Sequence, residues 1–202
     1  MTLAVEYINR RGDKYYLHEG KTKKGNPRYY FSKKRDGILA DSIPDGYEIY
    51  ENPDARVFLR KIPPRVFTDR EISIVEEGMK KYSGLRDFKI DVKRNAIVVF
   101  LPDQDPDFLK KAFSSFMFPG NSKLDKVFAQ VSTYSPMMRF VLIDKKSREF
   151  AVERWCFRGS IDDWIFIDSS KNLAELVKRY CKHLGKDSFY ELSSWNPDGE
   201  TL

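Results

Sequence analysis

The chain has 202 residues, 41% hydrophobic and 33% charged, with a formal net charge of +6. That length and apolar share fit one large domain or two small ones around an ordinary soluble core, and no apolar run approaches the roughly 18 residues that read as a membrane span. The start, Met1-Thr2-Leu3-Ala4-Val5-Glu6, carries an acid where a signal peptide needs its apolar stretch. Cys156 and Cys181 are too few for a disulfide framework and lack zinc-site spacing, so reduced thiols in a cytoplasmic protein are expected, with no cofactor and no metal.

In chain order, Lys14–Glu19 and Arg28–Lys33 are aromatic runs separated by polar turn formers, which predicts a hairpin with a basic loop over 20–27. Pro27 lacks an N–H and belongs at the loop edge. A second hairpin is expected from 46–51 and 56–61, turning at Asn52-Pro-Asp-Ala55. Pro63-Pro64 breaks the pattern. Thr68 with Glu71 makes a capping box, and Ile72, Val75, Met79 and Tyr82 follow at helical spacing until Gly84.

Residues 88–92 and 97–101 read as a hairpin turning at 93–96. Apolar stripes predict helices over 107–118 and 123–134, the second ending in Tyr134. A hairpin is expected from 137–143 and 148–157, then a buried strand over 164–167. Leu173, Leu176, Val177, Tyr180, Cys181 and Leu184 define a helix capped by Gly185, and 188–192 reads as a last strand. The expected class is therefore α+β, with antiparallel hairpins over 1–62 and an α+β body with three to four helices over 63–202.

Charge is distributed unevenly. Between Arg10 and Arg35 lie ten basic and two acidic residues, a local +8 in a chain of +6. Arg10, Arg11, Lys14, Lys21, Lys23, Lys24, Arg28, Lys33, Lys34 and Arg35 supply it, with Tyr15, Tyr16, Tyr29, Tyr30 and Phe31 interleaved. Cations reach phosphates and flat rings accept unstacked bases, so these residues, with Tyr16 and Tyr30, are the candidate nucleic-acid site. An acidic protein partner would suit the same surface. A solvated hairpin with half-buried aromatics is the plainer explanation of the same pattern. Gly20-Lys21-Thr22 is not a phosphate loop, because Tyr15 stands where that motif needs its first glycine.

The strings over 15–32 (YYLHEGKTKKGNPRYYFS), 43–53 (IPDGYEIYENP) and 57–61 (VFLRK) resemble the N-terminal region of a group of uncharacterised prokaryotic proteins of about this length. The resemblance is strongest over 14–61. It implies a prokaryotic cytosolic protein whose hairpin region forms a unit, and it carries no catalytic residue.

Other features point to chemistry less directly. Asp162 and Asp163, with Asp144 and Asp168, sit where strand ends could hold Mg²⁺ for phosphodiester cleavage. Adjacent aspartates opening a strand after a Gly-Ser turn explain them as well. Lys123, Lys126, Gln130 and Thr133 would be the exposed residues of a recognition helix, though short-turn helix pairs are usually packing units. His18 and His183 suit surface or capping roles, and nothing in the sequence joins either to a cysteine. The reading is thus a non-enzymatic nucleic-acid-binding protein acting through its basic hairpin. The alternatives are an interaction or assembly subunit and a metal-dependent nuclease; no membrane partner is expected, and oligomeric state is left open.

Overall fold

A computed structural model describes residues 4–104, 132–158 and 161–198. The chain divides into two compact units: one holds the chain up to Pro63, and the other runs from Pro64 to Asp103 and resumes at Tyr134.

Among the described residues, the regular elements of the first unit are all strands. Strands β1 (Glu6–Ile8), β2 (Lys14–Lys21) and β3 (Pro27–Ser32) form an antiparallel sheet in that order. β4 (Tyr47–Glu51) and β5 (Val57–Lys61) form a separate hairpin. One turn design recurs at all three connections. In Asn9–Asp13, Thr22–Asn26 and Asn52–Arg56 the first residue's N–H donates to the fifth carbonyl, and its own carbonyl accepts from the fourth N–H. Its side-chain oxygen also accepts from the fifth N–H, at 2.8, 3.1 and 2.8 Å. The fourth residue is left-handed in each: Gly12 at φ 83°, Gly25 at 82° and Ala55 at 60°. Asn and Thr lead these turns because their side chains reach their own backbone, and glycine adopts the fourth position without strain.

The second unit is built on a five-stranded antiparallel meander, β6 (Lys89–Lys93), β7 (Ala96–Pro102), β8 (Tyr134–Asp144), β9 (Glu149–Arg158) and β10 (Ile161–Ser170), neighbours in sequence being neighbours in the sheet. α1 (Asp69–Gly78), which continues as a wider turn over Met79–Ser83, and α2 (Leu173–Tyr180) pack against each other, and α2 also packs on the sheet. Val75, Met79, Leu176, Val177 and Tyr180 meet Ile97, Val99, Met138, Phe140 and Val152 in one core. The helices approach closely at Gly78, where a Cβ would stand 2.0 Å from the Val177 Cγ1.

The capping box forms as expected: Thr68 Oγ1 accepts from the Glu71 N–H, and the Glu71 carboxylate accepts from the Thr68 N–H at 2.8 Å. Burial acts to raise the Glu71 pKa, but hydrogen bonds from Arg148 and Thr68 outweigh it and hold the carboxyl below its usual value.

The α+β expectation is overturned. Among the described residues 43% are strand and 18% helical, in three sheets with three short α-helices, so the fold is β-rich. The helices expected over 107–118 and 123–134 fall mostly outside the described residues. Tyr134, assigned to the second, opens β8 instead. The strand expected over 188–192 is a helical turn, α3 (Ser188–Glu191), with Phe189 and Leu192 one turn apart in the core. The strand over 164–167 is part of β10, and only Ile167 is buried; Phe166 is 46% exposed.

Candidate nucleic-acid interface

The register of β2 and β3 assigns every aromatic of the basic segment to a face. Tyr16 opposes Ser32, His18 opposes Tyr30 and Gly20 opposes Arg28, and Glu6 and Ile8 of β1 oppose Tyr16 and Lys14. Cross-strand partners share a face, so Lys14, Tyr16, His18, Arg28 and Tyr30 lie together. Leu17, Tyr15, Tyr29 and Phe31 point the other way, where Leu17 is fully buried.

On the first face basic and aromatic groups alternate. The Arg28 guanidinium lies 5.4 Å from the Tyr30 ring centre. Tyr30 stacks on His18 at 5.1 Å and 11°. Arg35 and Lys14 sit 5.7 and 5.8 Å from the Tyr16 centre. Tyr30 is 43% exposed, whereas His18 is buried, with its Nε2 2.9 Å from the Lys34 carbonyl. His18 was not among the expected site residues, yet it seats the exposed tyrosine; its place opposite Tyr30 follows only from the register.

The other expected residues separate into two groups. At the β1–β2 turn the cations are engaged. Arg10 pairs with Glu51 at 3.3 Å and donates to the Asn52 and Pro53 carbonyls. Arg11 donates to the Ser132 carbonyl. Lys14 pairs with Glu6 at 2.6 Å, and Lys33 with Asp13 at 2.8 Å. The hydrogen bond from Lys33 holds the Asp13 carboxyl below its usual value, and Glu6 raises Lys14. Buried Asn9 fastens this end, donating to the Ala55 carbonyl at 2.7 Å.

The β2–β3 turn is different. Lys23 and Lys24 are its two central residues, flanked by Lys21 and Arg28 at the strand ends, and all four are exposed. Lys34 and Arg35 are exposed beyond β3. The available charge is therefore concentrated on one turn and one aromatic face, not spread over the ten cations of the segment.

Asp168 accepts from Tyr180 at 2.7 Å and pairs with Arg179 at 3.0 Å. Asp144 accepts from the Lys146 N–H at 2.7 Å, inside its own turn. Asp162 and Asp163, adjacent on β10, point to opposite faces. Among the described residues no group of three His, Cys, Asp or Glu side chains converges on a metal position. Both thiols are buried, and burial pushes Cys181 up to about 12, far from a nucleophilic thiolate. Among the described residues no helix is long and apolar enough to cross a membrane.

Compared with known proteins, the chain matches no family model, no curated protein and no solved structure.

Proposed function

We propose that this chain is a non-enzymatic nucleic-acid-binding protein whose contact surface is the β2–β3 hairpin. The observation that carries the reading is the exposed turn of Lys21, Lys23, Lys24 and Arg28 leading into the Arg28–Tyr30–His18 stack. Lysines on a turn reach phosphates without needing a fixed spacing. An exposed tyrosine backed by a buried ring offers a flat apolar surface beside them. Two buried free thiols accord with a reducing compartment, and we place the protein in the cytoplasm.

The test is a gel shift of the full chain at low salt with DNA and RNA, beside a Lys21→Glu/Lys23→Glu/Lys24→Glu variant. Binding by the parent that the variant lacks, with an unchanged melting temperature, supports the reading. Absence of binding to either polymer ends it. A stoichiometric acidic protein retained through nuclease treatment would assign the same surface to that partner instead.

A further inference from the structure

Among the described residues, the helices of the second unit pack on one face of its sheet. Ile97, Val99 and Leu101 of β7 point into the helix-packed core, while Ala96, Val98 and Phe100 form a second, smaller cluster with Tyr134, Val141 and Trp164. Register places Arg139 opposite Val98, Pro136 opposite Phe100 and Trp155 opposite Trp164, all on this second face. Val98, Phe100, Pro136, Arg139, Trp155 and Trp164 line an open groove of about 420 Å³, within the range of sites that hold small organic groups.

Its chemistry is specific. The two indoles meet edge to face at 5.1 Å and 76°. The Arg139 guanidinium lies 4.3 Å from the Trp164 ring centre, held by Glu153 at 2.5 Å, and the Lys93 Nζ is 4.8 Å from the Phe100 centre. Lys93, Arg94 and Arg139 line the groove, with Asp91 paired to Lys93 at 3.8 Å. The aromatic row continues along the same face to Phe157 and Phe166, 48% and 46% exposed. A closed pocket would serve one small ligand. An open row of rings flanked by cations suits several flat groups joined by anions.

We infer that this face is a second contact site, taking unstacked bases of a single-stranded nucleic acid on Trp155 and Trp164 while Lys93 and Arg94 meet its phosphates. The inference rests on the nucleic-acid reading of the hairpin and narrows the class of strand. Sequence-tolerant stacking with cationic flanks is how single strands are held without base-edge readout.

Tryptophan fluorescence of the full chain carrying Trp195→Phe tests it, because Trp155 and Trp164 are then the emitters. An eight-nucleotide oligothymidylate is expected to quench them saturably at low salt. The affinity should fall about tenfold in Lys93→Gln/Arg94→Asn. Lys93 and Arg94 are exposed, and Asn tolerates the left-handed backbone of Arg94 (φ 54°), so melting should not change. Thymidine 5′-monophosphate should bind at least about tenfold more weakly than the oligonucleotide, and a duplex of the same length should not quench. Equal affinity for the mononucleotide, quenching by duplex, or quenching unaffected by the Lys93 and Arg94 changes overturns the inference. If the oligonucleotide does not quench while the gel shift still depends on Lys21, Lys23 and Lys24, this face is excluded and the hairpin stands. Quenching without a hairpin-dependent shift supports this face and removes the hairpin.

Discussion

Two dibasic turns in the first unit share one backbone design and differ in what surrounds them. Asn9-Arg10-Arg11-Gly12-Asp13 and Thr22-Lys23-Lys24-Gly25-Asn26 place two cations at their centres and a glycine near φ +80° in fourth position. At the first, Arg10 and buried Asn9 reach the Asn52–Arg56 turn, so the charge holds two turns together. At the second the lysines are exposed. The same local sequence logic thus builds a structural contact at one end of β2 and an accessible cationic tip at the other. Counting cations overstates the surface that a polyanion can meet.

The comparison can be broken by substitutions at matched positions. The largest effect is expected from Lys21→Glu/Lys23→Glu/Lys24→Glu: about 100-fold or more loss of nucleic-acid affinity in 0.1 M salt, with the melting temperature unchanged. Asn9→Ala should do the reverse. It leaves the Ala55 carbonyl and the turn N–H groups without their partner, and should lower stability by about 1–3 kcal/mol in a denaturant melt, with affinity retained once the chain is folded.

Gly12→Ala and Gly25→Ala sharpen the contrast further. Nothing lies within 4 Å of a Cβ at either site, so each should lose only the backbone term of about 1 kcal/mol. Only Gly25→Ala, which bears on the lysine turn, should weaken binding. Freeing engaged cations should act in the opposite sense: Glu6→Gln/Asp13→Asn releases Lys14 and Lys33 and should raise affinity about threefold.

The smallest effect concerns the other unit. His183 is buried against Ser188 at 2.9 Å, and burial, reinforced by Lys182 and Lys186, holds its pKa below the usual value. The unfolded chain therefore binds a proton that the folded chain resists. Stability should be complete above about pH 6.5 and fall as pH drops through the depressed native value. Melting curves of His183→Gln should lack that acid-side decline.

What was legible in the sequence was local. Hairpin turns, the Thr68–Glu71 capping box and the Gly84 stop depend on residues a few positions apart, and each formed where expected, whereas α2 ends at Tyr180, short of Gly185. The Ser188–Leu192 error came from reading five mixed residues as alternation. Phe189 and Leu192, one turn apart, were the helical signal, and Arg154 donating to the Tyr190 and Leu192 carbonyls fixes the outcome through tertiary contact. Engagement of Arg10 by Glu51 spans 41 residues, and no periodicity announces it. The aromatic face of the second unit was missed for a related reason. Trp164 read as part of a buried strand until the register of β9 and β10 shows it opposite Trp155, on the face away from the helices.

The central claim is that exposed lysines of one turn, not the segment's total charge, bind nucleic acid. The most direct test is the salt dependence of binding for the full chain and for the Lys21, Lys23 and Lys24 reversal. If the three lysines each neutralise a phosphate, the slope of log K against log salt should become shallower by about 2 to 3 in the variant. An unchanged slope, with affinity instead tracking Arg10 and Arg11, would contradict the account.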